Sequence, residues 1–135
     1  MSISDFLFGP KVPAVTVDEL HALIQSGGKF YLLDVRTAPE FNTAHVEVTH
    51  ALVPYDILDQ HAARMPVDKS LPIFCICRSG RRSAYSTQYL RSVGHEQVYN
   101  VTGGILAWAK AGYAVTSGME PDGKPARPKD FFSLA

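Results

Sequence analysis

The sequence predicts an α/β domain whose mostly parallel sheet is covered by helices on both faces. Three observations lead there. Short, nearly continuous apolar runs at 30–35, Ile73–Ile76 and Val98–Val101 read as strands buried on both faces. The segments between them place apolar residues at helical spacing. Each strand-to-strand unit is short enough for a single crossover. With 135 residues, 46% of them hydrophobic, the chain can build one core and is too short for two ordinary domains.

Taken in order, Thr16 followed by Glu19 has the form of a capping box, and Val17, Leu20, Leu23 and Ile24 recur at helical spacing until Gly27 and Gly28 stop them. Residues 30–35 follow as a strand. Pro39, Glu40 and Phe41 begin a short helical turn. Residues 51–53 form a brief strand closed by Pro54, and the amphipathic stretch through Ile57, Leu58, Ala62 and Met65 predicts a helix. Pro72 has no N–H to donate and is admissible only where a strand begins, so the next strand is Ile73–Ile76. Ala84, Tyr85, Tyr89 and Val93 then predict a helix over 83–93, ended by Gly94. A strand at Val98–Val101 and a helix over 104–111 complete the pattern. The chain divides into an N-terminal segment (1–13), the folded domain (14–116) and a C-terminal arm (117–135). The arm is rich in proline and charge, and its Phe131, Phe132 and Leu134 are expected to dock it on the core.

Thirteen basic residues balance thirteen acidic ones, which argues against a nucleic-acid partner. The N-terminus has no basic flank of a secretory signal, and no stretch approaches the about 18 apolar residues that span a bilayer. Membrane insertion is therefore not expected. Cys75 and Cys77 are too close along an extended strand to bridge, and unpaired thiols point to the cytoplasm. His21, His45, His50, His61 and His95 make no short ligand pair with either cysteine, so no metal is expected.

The chemistry concentrates in CRSGRRS, residues 77–83. In parallel α/β sheets ligands bind beyond the carboxyl ends of the strands, where Asp34, Arg36 and Cys77 fall. A thiol there, ahead of a helix N-terminus and among three arginines, meets backbone amides and cations that stabilise a thiolate. Cys77 is the expected nucleophile. Arg78, Ser79, Gly80, Arg81, Arg82 and Ser83 are the expected substrate-binding residues, and local charge in a neutral chain points to a small anionic substrate. Gly80 is expected because a side chain would crowd the loop, Ser83 to cap the following helix, and Ser79 to donate within the loop. Asp34 and Arg36 are expected as supports, with Asp34 accepting hydrogen bonds beneath the loop. Cys75 reads as a small buried strand residue in preference to a resolving thiol, and His45 as the owner of a buried hydrogen bond. Gly103 and Gly104 read as close-packing positions before the last helix, with Trp108 as a core anchor.

Over about residues 15–115 the sequence resembles single-domain rhodanese-like sulfurtransferases. CRSGRRS is similar to the family's active-site loop, in which a cysteine is followed by four residues and then by the position of Arg82. LLDVRTAPEF (32–41), with His45 and the run to Pro54, resembles the early signature, and VYNVTGGILAWAKAGY (98–113) resembles the late one. Ala44 stands where the family usually has glycine, and the span from His45 to Pro54 is one residue longer than the common pattern. The resemblance implies a three-layer α/β/α fold with a mainly parallel five-stranded sheet. It implies a Cys77 persulfide that carries sulfur from thiosulfate or a related donor to cyanide or a thiol, a protein cysteine included, without a metal or organic cofactor. Alternatives are a sulfur carrier and a regulatory binding module, though such modules often lack the cysteine. A cysteine phosphatase or arsenate reductase would need an arginine where Ser83 stands, to wrap a tetrahedral oxyanion.

Overall fold

The computed structural model describes residues 2–118. Its strands are β1 (Ala14–Val15), β2 (Tyr31–Asp34), β3 (Ala51–Leu52), β4 (Ile73–Ile76) and β5 (Val98–Val101), joined in the order β1-β5-β4-β2-β3. Every pairing is parallel. The sheet is thus wholly parallel, with β1 as a strand the residue pattern alone did not show. Two residues between Pro13 and the Thr16 cap are too few to display a period, and it is their register with Asn100 and Val101 that makes them a strand.

Strand alternation sorts the core into two layers. Tyr31 and Leu33 of β2, with Ile73 and Cys75 of β4, face Leu58, Met65 and Leu90. Leu32, Phe74 and Ile76 face the other way, onto Leu20 of α2 (Val17–Ser26) and Ile105 and Trp108 of α5 (Gly104–Lys110). Each such fully buried aliphatic side chain contributes about 1.5–3 kcal/mol. Cys77 continues the alternation and joins the first layer, on the side of α4 (Arg81–Ser92). The capping box at Thr16 and Glu19 is present, as the sequence predicts.

Three elements differ from expectation. A short helix, α1 (Ile3–Phe8), occupies the N-terminal segment, with Ser2 accepting the Asp5 N–H. The stretch Tyr55–Arg64 is a 3-10 helix interrupted at His61. Its apolar residues Ala62 and Met65 lie three apart, a spacing that three-residue turns serve as well as α-turns, and Met65 N–H donates to Ala62 O. Helix α4 begins at Arg81, two residues before the predicted start. Among the described residues no helix is long and apolar enough to cross a membrane.

The short helix α3 (Ala38–Thr43) ties the sheet to α4. It opens on a capping box between Thr37 and Glu40. Behind it, Arg36 donates from Nε and Nη2 to the Asp34 carboxylate at 3.0 and 2.8 Å, and from Nη2 to Ala44 O at 2.7 Å. Both partners are buried, so burial pushes the Asp34 carboxyl up against the pull of Arg36. In front, both Glu40 oxygens accept from Arg82 of α4 at 2.8 Å. The Arg82 guanidinium holds the Glu40 carboxyl down at about 2. His45 stacks on Phe41 and donates from Nδ1 to its carbonyl at 2.9 Å, while its backbone bridges Thr116. Ala44 has φ −164°, an extended conformation open to any residue, so the absence of glycine there costs nothing. Gly118 N–H donates to Asn42 O, and the rest of the arm, with Phe131, Phe132 and Leu134, lies outside the described residues.

Arg36→Met leaves Asp34 buried without its partner, and urea unfolding is expected to show a loss of about 3 kcal/mol; an unchanged midpoint would remove the pair as a tie. Glu40 ionises well below its ordinary 4.5 in the folded chain, so its stabilisation is complete above that pH and is lost as the pH falls toward about 2. Melting temperatures of wild type and Glu40→Gln should therefore differ at neutral pH and converge through that window. Because the pair is partly exposed, the neutral-pH difference is expected to be no more than about 1 kcal/mol.

Candidate active site

Cys77 stands directly after β4 and is only 1% exposed. Its Sγ lies 3.1 Å from the Gly80 nitrogen, whose N–H donates to it, and 3.2 Å from Ser83 Oγ. The sequence suggested several loop amides around the sulfur; the contacts are one amide and one hydroxyl. Gly80 caps α4 with φ +106°, a backbone conformation that side chains rarely allow. An added Cβ would find its nearest neighbour 3.4 Å away, so conformation and not crowding demands glycine there. Ser83 is not the cap. It sits inside the first turn of α4, from which its hydroxyl reaches back to the sulfur.

The loop is bolted down by α5. Ile105 N–H donates to Cys77 O at 2.8 Å and Leu106 N–H to Arg78 O at 3.1 Å. Amides of a helix's first turn have no partner within the helix, and here two loop carbonyls supply one. A Cβ on Gly104 would fall 2.6 Å from Arg78 O, so the glycine permits the close approach that the sequence suggested. From β5, Asn100 Nδ2 donates to Gly80 O at 3.0 Å, and Asn100 Oδ1 lies 2.5 Å from Ser83 Oγ. Sequence reasoning missed Asn100. Its signal was available, as the polar residue inside the strand Val98–Val101 of a sheet covered on both faces.

The three arginines separate. Arg82 is engaged by Glu40, a second residue the sequence reading left without a site role although the Thr37–Glu40 spacing marks a capping box. Arg81 donates from Nε to Phe6 O of α1 and lies over the Tyr85 ring. Arg78 and Ser79 are exposed at the loop tip, and the Ser79 hydroxyl makes no hydrogen bond among the described residues. Arg78 is therefore the loop cation free to meet an anion arriving from solvent. Beside the loop, Leu7 and Phe8 of α1 join Ser79, Gly80, Arg81 and Asn100 around a cavity of about 420 Å³. A larger groove, about 600 Å³, lies between the 3-10 helix and α4 and includes none of residues 77–80. The sulfur and its donors, not the larger volume, mark the site.

Cys75 lies on the same face, two residues before Cys77, and is fully buried. Burial pushes its thiol up to about 12, so it stays protonated and unreactive. Asp34 and Arg36 pair with each other, and among the described residues their hydrogen-bonded connection to the loop runs through α3 and Glu40 to Arg82. The result is a sulfur with one amide donor and one hydroxyl within hydrogen-bond reach at the carboxyl end of a strand, a setting that can hold negative charge on sulfur.

The chain matches the model of the Rhodanese-like domain over residues 16–111. It is 32% identical over 133 residues to thiosulfate sulfurtransferase 18 of Arabidopsis thaliana, covering 88% of this chain and 94% of that protein. It is 30% identical over 114 residues to the probable adenylyltransferase/sulfurtransferase MoeZ of Mycobacterium tuberculosis, covering 83% of this chain and 26% of that longer protein. Among solved structures, a rhodanese-related protein from Thermoplasma volcanium superposes with a TM-score of 0.69 at 25% identity, covering 78% of this chain and 98% of that one. The family match runs from the cap of α2 to the end of α5, taking in the sulfur-bearing loop and the strand that supplies Asn100, and with it the chain belongs to the rhodanese-like domain family of sulfurtransferases.

Proposed function

We propose that the protein transfers a sulfane sulfur from thiosulfate or a related anionic donor to a nucleophilic acceptor, through a persulfide on Cys77. The observation that carries this reading is the Cys77 sulfur at the end of β4, faced by the Gly80 N–H and the Ser83 hydroxyl. The Cys77 thiolate attacks the outer sulfur of thiosulfate. A new S–S bond forms, the bond to the sulfonate sulfur breaks, and the electron pair leaves with sulfite. Cyanide or a thiolate, a protein cysteine included, then attacks the terminal sulfur of the persulfide and returns Cys77 as thiolate. Arg78 draws the dianionic donor to the loop, while the Gly80 N–H and Ser83 hydroxyl stabilise charge on sulfur.

Oxyanion chemistry of the phosphatase kind fits less well. Ser83 occupies the place where a guanidinium would have to stand, and the planar fork of Arg82 is already filled by Glu40. Two unbridged, buried cysteines suit a reducing compartment, and the proposed location is the cytoplasm.

Intact protein exposed to thiosulfate is expected to gain the mass of one sulfur atom, and Cys77→Ala to gain nothing. A wild-type chain left unmodified by every sulfane donor tried would overturn the reading. Addition of cyanide, a small thiol or a protein thiol to the loaded protein then ranks the acceptors by the rate at which that mass is lost. Arg78→Ala is expected to raise KM for thiosulfate by about threefold with kcat nearly unchanged, as loss of one exposed attractive charge should.

A further inference from the structure

Ser83 has one hydroxyl proton, and two acceptors face it: Cys77 Sγ at 3.2 Å and Asn100 Oδ1 at 2.5 Å. A third group decides between them. Asn100 Nδ2 lies 3.0 Å from Gly80 O, and turning the amide over would set two oxygens at that distance with no proton between them. The Gly80 carbonyl therefore fixes Oδ1 toward Ser83. An amide oxygen only accepts, so the Ser83 hydroxyl donates to it, and a Cys77 thiol, whenever it is protonated, can give its own proton to Ser83 Oγ.

We propose that Asn100 is a positioning residue for Cys77: it holds the Ser83 proton away from the sulfur until the sulfur carries negative charge. The inference rests on Cys77 being the reacting thiol. When Cys77 is a thiolate or a persulfide anion, a hydrogen bond to it is charge-assisted and about twice as strong as one to a neutral amide. The Ser83 hydroxyl then rotates about its Cβ–Oγ bond and donates to sulfur, its proton remaining on the serine. Asn100 Oδ1, part-buried, loses its partner in the same movement. That loss opposes the rotation, so Asn100 resists the appearance of charge on Cys77. Gly80 takes part at both ends, since its N–H donates to the sulfur and its carbonyl orients the amide.

The test is a titration of thiolate ultraviolet absorbance, with Cys77→Ala as the blank, in wild type, Asn100→Ala, Ser83→Ala and the double variant. Cys75 is silent across the range because burial pushes it up to about 12. Asn100→Ala is expected to lower the midpoint by about one pH unit, since the freed hydroxyl serves sulfur alone. Ser83→Ala is expected to raise it, and within the Ser83→Ala background the Asn100 substitution should shift nothing. A shift of equal size with and without Ser83 would show that Asn100 acts through loop packing and would overturn the inference. So would an unshifted midpoint in a variant that melts like wild type. Asn100→Leu, closer in volume, goes through the same cycle to guard against misfolding; both substitutions must move the midpoint downward, and an upward shift in either folded variant counts against the inference. The titration uses no sulfur donor. Failure of Cys77 to take up sulfur therefore leaves its result standing, whereas a flat cycle in a protein that does take up sulfur removes this inference alone.

Discussion

Two hydrogen bonds donated by α5, from Ile105 and Leu106 to the carbonyls of Cys77 and Arg78, set the course of the loop that follows. A trans peptide points its C=O and N–H in opposite directions, so these carbonyls commit the next N–H groups to point away from α5. Two sets of groups that would be costly to leave unpaired satisfy each other. A buried amide or carbonyl without a partner costs about 1–3 kcal/mol, and both the first turn of a helix and a tight loop are rich in them. Gly104, the first residue of α5, makes the arrangement sterically possible, since a side chain there would collide with the same loop carbonyls.

With one side of the loop pinned to α5, the other is carried by α4, and α4 is located by a chain of charges. Asp34 holds Arg36, Arg36 holds the end of α3 through Ala44 O, and Glu40 on α3 holds Arg82. Most of the loop's positive charge is therefore spent on architecture. Arg81 likewise anchors α1 through Phe6 O. Arg78 is left exposed at the loop tip, while the groups within hydrogen-bond reach of the sulfur are an amide and a hydroxyl.

The strands and the position of Cys77 at the end of one were readable because their signals are local. Residues 31–34 and 73–76 are buried on both faces and, Asp34 apart, carry no charge, and Cys77 follows a strand and precedes a helix. What escaped was of two kinds. Ala14–Val15, Tyr55–Arg64 and Ile3–Phe8 were missed or misread because a two-residue strand and three-residue turns leave no distinctive period, and because α1 lies on the surface with no buried face to pattern. Asn100 and Glu40 were missed because their roles depend on partners 17 and 42 residues away. The expectation that Ser83 caps the helix fails because Gly80 starts the helix earlier and leaves the serine within its first turn, with its hydroxyl 3.2 Å from the sulfur.

The alternation of β4 makes the placement of the thiol a matter of parity. Ile73, Cys75 and Cys77 share one side of the sheet because their numbers differ by two, while Phe74 and Ile76 look toward α5 and Trp108. Insertion or loss of a single residue between Pro72 and Cys77 would leave the strand apolar and the loop sequence intact, yet would carry the sulfur through the plane of the sheet to the layer that has neither Ser83 nor Gly80 to meet it. The surroundings of the thiol thus depend on a rule of odd and even that composition does not record, and a chain with every motif residue present would still lose them if that count were wrong.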